Sequence, residues 1–149
     1  MNPILLATDG SRSAQEATKT AVELAKATAR PLVVVTAWRV PVSAFGPGLE
    51  ATLPEIAEHE EARAREALAD AVNEAGSAGL DVRGVLREGD PVDEICAAAS
   101  EAHAALIVIG AHGWGRLRRL VFGSVSNGVL HHAPCPVVVV REQGDAQPA

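Results

Sequence analysis

The chain has few aromatic residues, few cysteines and no long hydrophobic run. Aromatics make up 3% of its 149 residues, so the interior must be built from Ala, Val, Leu and Ile, as in packed α/β layers. Cys96 and Cys135 form neither a disulfide framework nor a Cys-x-x-Cys motif, which predicts buried structural thiols and a reducing cytoplasm. No apolar run approaches the roughly 20 residues that span a bilayer, and the start of the chain lacks the basic region of a signal peptide. We therefore expect a cytoplasmic protein that does not enter membranes.

Positive charge is also scarce. The chain has 13 Lys and Arg against 19 Asp and Glu, a formal net charge of −6 at pH 7. This balance disfavours the broad basic face of a nucleic-acid-binding protein. The length matches one ordinary domain, which we place at residues 1–142, followed by a tail at 143–149 that is expected to be frayed.

Short apolar runs alternate with helical patterns along the chain. The runs predict five β-strands, at Pro3–Thr8, Leu32–Ala37, Leu80–Leu86, Ala104–Ile109 and Val137–Val140. The third run alternates apolar and polar residues, as an edge strand does. Such alternation of strands and helices predicts an α/β fold with a doubly wound five-stranded parallel sheet and helices on both faces. We take the strand order to be 3-2-1-4-5.

Apolar residues at spacings of three and four predict the helices between these strands. The first helix begins at Ser11 or Ser13, with Ser13 and Glu16 as a possible capping box, and its apolar stripe extends to Thr28. A loop rich in proline and glycine, residues 39–53, precedes the second helix. In the third helix Asp90 is the predicted N-cap, and the last helix covers Ser124–His132.

Residues 104–132 contain the pattern that points to function. An apolar strand ends there in a glycine cluster, which is followed by three arginines and then by Gly123-Ser124 at the start of a helix. In a doubly wound sheet, ligands bind where the strand order reverses, here between the ends of strand 1 at Asp9 and strand 4 at Gly110. Glycines let a backbone approach a polyanion closely, and a helix N-terminus offers unpaired N–H groups and a positive dipole end. This pattern predicts a phosphate site.

Each part of the pattern also has a purely structural interpretation. Glycine clusters occur in many tight loops, and this one is not the Gly-x-Gly-x-x-Gly dinucleotide fingerprint. The arginines equally fit solvated loop positions. Asp9 and Ser124 equally fit helix N-caps, and His112 equally fits a packing role in the loop. As a ligand contact, Asp9 suits ribose or base donors, because a carboxylate repels phosphate.

Taken together, these residues resemble the universal stress protein family of the ATP-binding type. The family pattern of Gly, two residues, Gly, nine residues and Gly-Ser is met by Gly110, Gly113, Gly123 and Ser124. The stretches ATDGS, LVVVTAW, LIVIGAHG, FGSVSNGVL and CPVVVV extend the likeness over nearly the full chain. The resemblance implies a nucleotide site made of Ala7, Asp9, Ala37, Gly110, Ala111, His112, Gly113, Gly115, Arg116, Gly123, Ser124, Val125 and Ser126.

The resemblance also implies roles for these residues. Asp9 would contact the nucleoside, and the backbone of Ala37 would meet the adenine edge. Residues 110–116 would wrap the ribose and phosphates, and residues 123–126 would hold the phosphate tail of ATP, with Mg²⁺ bound through the phosphates and not directly by the protein. A homodimer through the strand Val137–Val140 is implied as well, and that apolar edge suits such pairing.

We therefore expect an ATP-binding stress-response protein that holds an adenine nucleotide. Fast catalysis is not expected, and no catalytic residue is assigned, because the chain has no Gly-x-x-x-x-Gly-Lys-Ser/Thr loop and its two lysines, Lys19 and Lys26, lie in the first helix. Two alternatives remain open. One is a nucleotide-free dimeric interaction module, and the other is a slow ATP-hydrolysing enzyme.

Overall fold

A computed structural model describes residues 1–40, 48, 52–113 and 122–142. Strands and helices alternate along these ranges. The strands are β1 (Ile4–Ala7), β2 (Leu32–Trp38), β3 (Val82–Glu88), β4 (Leu106–Gly110) and β5 (Val137–Val140). The helices are α1 (Arg12–Thr28), α2 (Leu53–Ser77), α3 (Pro91–Glu101) and α4 (Ser124–His132).

The five strands form one parallel sheet in the order β3-β2-β1-β4-β5. The central strand β1 is buried along its whole length, and its Leu6 lies opposite Val34 on one side and Val108 on the other. The chain therefore has the predicted doubly wound α/β fold. The strand order reverses between β1 and β4, which places a crevice beyond their carboxyl ends.

The two faces of the sheet are covered by different helices, because successive strand residues point to opposite sides. Helices α1 and α2 pack on one face, and α3 and α4 cover the other. The first core contains Ile4, Leu6, Ala17, Ala21, Ala25, Leu32, Val34, Ala71, Ala75 and Val108. The second contains Leu5, Ala7, Val33, Val35, Ile95, Ala98, Ala99, Ile107, Ile109 and Val129. Among the described residues, alanines on the helices and branched residues on the strands thus form the two cores, and no aromatic side chain belongs to either.

The start of α1 differs from the sequence prediction. Ser11 is the N-cap, and its Oγ accepts a hydrogen bond of 3.3 Å from the Ala14 amide. The proposed capping box of Ser13 and Glu16 is therefore wrong: Ser13 is a helical residue whose hydroxyl bonds to β5, while Glu16 pairs with Lys19. At the other end of the helix, Thr28 is exposed and does not belong to the buried stripe.

Other boundaries shifted by one or two residues. The edge strand β3 begins and ends two residues later than expected, after a turn at Gly79 whose φ of +84° favours glycine. The bounds of α4 and β5 agree with the prediction at both ends. Most of the predicted loop 39–53 and all of the tail 143–149 lie outside the described residues. In the ranges that the structure describes, no helix is both long enough and apolar enough to cross a membrane.

Candidate functional site

A cavity of about 340 Å³ opens at the carboxyl ends of β1 and β4, where the strand order reverses. It is lined by residues from β1, β2 and β4 and from the N-terminal parts of α1, α3 and α4. The described lining residues are Ala7, Thr8, Asp9, Ala14, Val35, Ala37, Pro91, Ile95, Ile109, Gly110, His112, Gly113, Gly123, Ser124, Val125 and Ser126. The cavity has the size and position of a small-molecule site in an α/β sheet.

Part of the wall is apolar and comes from β2, β4 and α3. Val35 and Ile109 contribute from the strands, and Ile95 contributes from α3. The start of α3 is fixed by Asp90, whose Oδ1 accepts hydrogen bonds from the amides of Val92 and Asp93 at 3.0 and 3.2 Å. This N-cap places Pro91, the first residue of the helix, on the cavity. Such a wall suits a flat, apolar ring.

A helix N-terminus forms another part of the wall. Helix α4 begins after Gly123, which supplies no side chain to cap it, and the amide of Asn127 makes the first intrahelical bond to the Gly123 carbonyl at 3.0 Å. The amides of residues 124–126 therefore precede the hydrogen-bond ladder of the helix. All three residues line the cavity. Their N–H groups and the positive end of the helix dipole make this side of the cavity suitable for an anion.

Ser124 is the first helical residue of α4, so it is not the N-cap. Ser126 is 2% exposed, and its hydroxyl donates to the carbonyls of Ala111 at 2.9 Å and of Gly123 at 3.0 Å. The hydroxyl of Ser126 thus holds the first turn of α4 against the chain that follows β4. We therefore expect the amide of Ser126, and not its hydroxyl proton, to be available to a ligand.

The chain that follows β4 is held from both sides. The amide of Ala111 donates to the Val140 carbonyl at 2.8 Å, and its carbonyl accepts from the Gly123 amide at 2.7 Å. The amide of His112 donates to Ser13 Oγ at 3.2 Å. Residues 111 and 112 are thus positioned by β5, α4 and α1 together. Gly113, the next residue, lies on the cavity.

The three glycines of the family pattern differ in how much room their surroundings leave for a side chain. None of Gly110, Gly113 and Gly123 adopts a positive φ, so backbone conformation does not require glycine at these positions. A Cβ atom on Gly110 would lie 2.7 Å from the carbonyl carbon of Ser13, which ties this glycine to packing against α1. A Cβ on Gly113 would lie 3.0 Å from Asp9 Oδ2. One on Gly123 would meet its nearest neighbour, the Ala111 carbonyl oxygen, at 3.4 Å, an ordinary contact.

Asp9 follows β1 and lies at the cavity opening. Its Oδ1 accepts a hydrogen bond of 2.9 Å from the amide of Ser11, and Ser11 is the N-cap of α1. Asp9 is therefore not the N-cap itself. Its Oδ2 lies close to Gly113, so the negative charge of Asp9 is on the side of the cavity formed by β1 and the chain after β4. A bound anion would be attracted to α4 and repelled from Asp9.

The structure brings ten of the predicted site residues to one cavity. Ala111 is buried behind the lining, where both of its backbone groups are hydrogen-bonded. Gly115 and Arg116 lie outside the described residues, as do Arg118 and Arg119. Sequence reasoning missed Thr8, Ala14, Val35, Pro91, Ile95 and Ile109. The Asp90-Pro91 helix start was a usable signal for one of them, since helices that begin at the carboxyl edge of the sheet border the crevice.

The sequence model described as the Universal stress protein family matches residues 1–141 of the chain. The chain belongs to this family. A universal stress protein from Thermus aquaticus is 38% identical over 139 residues, which cover 93% of this chain and 97% of the relative.

Two solved structures of the family are similar over nearly the whole chain. A universal stress protein in complex with cAMP has a TM-score of 0.71 and 26% identity, covering 95% of this chain and 98% of that one. The universal stress protein from Archaeoglobus fulgidus in complex with dAMP has a TM-score of 0.68 and 28% identity, covering 94% and 98%. Some members of the family therefore bind adenine nucleotides.

Proposed function

We propose that this chain binds an adenine nucleotide in the cavity at the reversal of strand order, and that the nucleotide is ATP with Mg²⁺. The observation that carries the proposal is the N-terminus of α4, which has no side-chain cap, begins at a glycine and lines the cavity. The complexes of similar family members with cAMP and dAMP support adenine as the base. The cavity volume of about 340 Å³ is at the lower end of the range for small-molecule sites.

The two ends of the cavity suggest an orientation for the nucleotide. The adenine ring lies against the apolar wall, with its edge at the backbone of Ala37. The ribose lies near Asp9, whose carboxylate accepts hydrogen bonds from hydroxyl groups. The phosphates lie at residues 123–126, where backbone amides and the helix dipole meet negative charge, and away from the Asp9 carboxylate beside Gly113. Mg²⁺ is held by the phosphates and neutralises part of their charge.

We also propose that the protein holds its nucleotide in a stress response and does not turn it over rapidly. Among the described lining residues, the side chains that titrate are Asp9 and His112. The two lysines of the chain, Lys19 and Lys26, lie in α1 and do not line the cavity. Efficient phosphoryl transfer requires positioned cations and a group that orients the attacking nucleophile. Slow hydrolysis is the alternative outcome of the test below.

Calorimetry with ATP, ADP, AMP and cyclic AMP tests the proposal on the wild-type chain and on Gly123→Val. A side chain at position 123 begins 3.4–3.7 Å from Ala111, His112 and Gly113, between α4 and the chain after β4. We expect the larger valine to close the space for phosphates and to weaken ATP binding at least tenfold. Gly76→Ala, in α2 and remote from the cavity, is the control variant.

Two further measurements separate the alternatives. Denaturing the purified protein should release an adenine nucleotide, which mass spectrometry detects. Phosphate release from added ATP should be negligible. A wild-type chain that binds none of the four nucleotides contradicts the proposal and favours the nucleotide-free interaction module. Rapid phosphate release that is lost in Gly123→Val favours the enzyme.

We propose, further, that residues 1–142 form one nucleotide-binding domain that pairs with a second copy through β5 in the cytoplasm. The strand β5 ends the sheet, pairs with β4 on one side, and consists of four partly exposed valines. Both cysteines are free thiols, which supports a reducing compartment. Sedimentation equilibrium tests the pairing, and a monomer at all concentrations up to about 100 μM contradicts it.

A further inference from the structure

Ser13 lies in the first turn of α1 and is buried, with 3% of its surface exposed. Its hydroxyl makes two hydrogen bonds that leave the helix. The Oγ donates to the carbonyl of Val140 at 3.2 Å and accepts from the amide of His112, also at 3.2 Å. One side chain therefore joins three parts of the fold: α1, the last residue of β5 and the chain that follows β4.

The packing around Ser13 is close. A Cβ atom on Gly110 would lie 2.7 Å from both the carbonyl carbon and the Oγ of Ser13. Glycine at the end of β4 thus lets the hydroxyl come near the backbone of residues 110–112. The Val140 carbonyl accepts a second bond, of 2.8 Å, from the amide of Ala111. The peptide before Ala111 is consequently bonded to the Val140 carbonyl of β5, and the peptide after it is bonded to Ser13 of α1, which is itself bonded to the same carbonyl.

This arrangement determines the direction of the backbone that enters the cavity. The start of α4 forms the side of the cavity that suits an anion, and residues 111–113 lie against it, since a Cβ atom on Gly123 would be 3.4–3.7 Å from Ala111, His112 and Gly113. The bond from the His112 amide to Ser13 fixes the peptide between residues 111 and 112, from which the chain continues to Gly113. The next peptide is contacted from the same helix end, because Ser11 Oγ donates to the His112 carbonyl at 3.4 Å. A hydrogen bond that holds a binding loop in place lowers the entropy lost when the ligand binds.

Resting on the nucleotide site proposed above, we propose that Ser13 is a positioning residue for the phosphate-binding backbone and couples it to the end of β5. Ser13 does not line the cavity and does not touch the ligand. It acts through His112 and through the Val140 carbonyl. Occupation of the cavity and the position of the β5 end then depend on each other, since coupling between two sites is reciprocal.

Ser13→Ala tests the proposal, with Thr18→Val as its matched control. Thr18 is in the same helix and is 2% exposed, and its Oγ1 bonds to the Ala14 carbonyl within α1 at 2.9 Å. Both variants lose one buried hydroxyl, but only Ser13→Ala loses a bond to the chain after β4. Loss of one such bond changes affinity by about three- to tenfold. We expect Ser13→Ala to weaken ATP binding by that factor and to leave adenosine binding within about twofold.

Amide hydrogen exchange of the nucleotide-free protein provides a second measurement. Exchange of the His112 amide should be faster in Ser13→Ala than in the wild type and unchanged in Thr18→Val. Equal ATP affinity in Ser13→Ala and the wild type would overturn the proposal, as would equal losses for ATP and adenosine or an unchanged His112 exchange rate. If the wild type itself binds no adenine nucleotide, the nucleotide site fails and this proposal fails with it. If the wild type binds and Ser13→Ala binds equally well, only the role of Ser13 is refuted.

Discussion

Replacing Gly110 by alanine should destabilise the protein, whether or not a nucleotide binds. The added Cβ would lie 2.7 Å from the carbonyl carbon and Oγ of Ser13 and 2.8 Å from the backbone nitrogen of Ala14. Two of these three atoms belong to the backbone of α1, so relief requires a shift of the helix against the sheet. Overpacking of this kind costs about 1–3 kcal/mol.

The net effect is smaller than the cost of overpacking. Alanine restricts the unfolded chain more than glycine does, which returns about 0.4–1 kcal/mol. Because all three contacts are shorter than 3.0 Å, we take the cost of overpacking as about 2–3 kcal/mol and expect the free energy of unfolding to fall by about 1–2.6 kcal/mol. For a chain of this length, 1 kcal/mol corresponds to about 2–4 °C in Tm, so the Tm should fall by about 2–10 °C.

The matched control is the same substitution in α2. A Cβ on Gly76 would meet one neighbour, Val82 Cγ1, at 3.9 Å, and Gly76 lies inside a helix. Gly76→Ala should therefore raise the stability by up to about 1 kcal/mol, because alanine favours helix more than glycine does. Urea unfolding of both variants gives the two free energies. A Gly110→Ala variant that is as stable as the wild type would refute the assignment of Gly110 to packing against α1.

Three further predictions concern parts of the molecule away from the glycines. The Oγ1 of Thr36 is buried and has no hydrogen-bond partner among the described residues, so Thr36→Val should raise the free energy of unfolding in urea by about 1 kcal/mol, and a loss would contradict this. Asp90→Ala should lower the free energy of unfolding by about 1 kcal/mol, because the amides of Val92 and Asp93 lose their cap. Asp90→Asn should keep most of this stability, because an amide oxygen can accept the same bonds. Burial raises the pKa of Cys96 and Cys135, so iodoacetamide should alkylate the folded protein more slowly than the urea-unfolded chain, and equal rates would contradict this. Because the folded thiols keep protons that the unfolded chain releases, their contribution to stability should decrease as the pH rises above about 8.5.

The fold was predictable where glycine and proline mark the ends of a segment whose apolar residues follow the spacing of a helix or a strand. Helix α4 and strand β5 were predicted at both ends because Gly123 precedes the helix and two prolines separate it from four valines. The bounds of β3 were less predictable, since the residues near its ends are partly exposed and carry little of the apolar signal. The parallel pairing of the strands followed from the alternation of strands and helices.

The glycines and serines that line the candidate site were predictable from their spacing, whereas the role of Ser13 behind it was not. The spacing of Ser13 and Glu16 matches a capping box, but in the fold the Ser13 hydroxyl does not cap the helix. It donates a hydrogen bond to Val140, a residue 127 positions away, and the local sequence does not show such a tertiary contact. The apolar wall was missed for a similar reason. Ile95 belongs to the apolar stripe of α3, whose spacing predicts a core-facing side. That Ile95 also lines the cavity follows only from the position of α3 on the sheet.

Part of the cavity lining consists of backbone and very small side chains. Six of its described residues are already alanine or glycine: Ala7, Ala14, Ala37, Gly110, Gly113 and Gly123. Alanine scanning, which removes side-chain atoms, therefore has nothing to remove at these six positions. Mapping this surface calls for the opposite strategy, in which bulk is added one position at a time and the loss of occupancy is recorded.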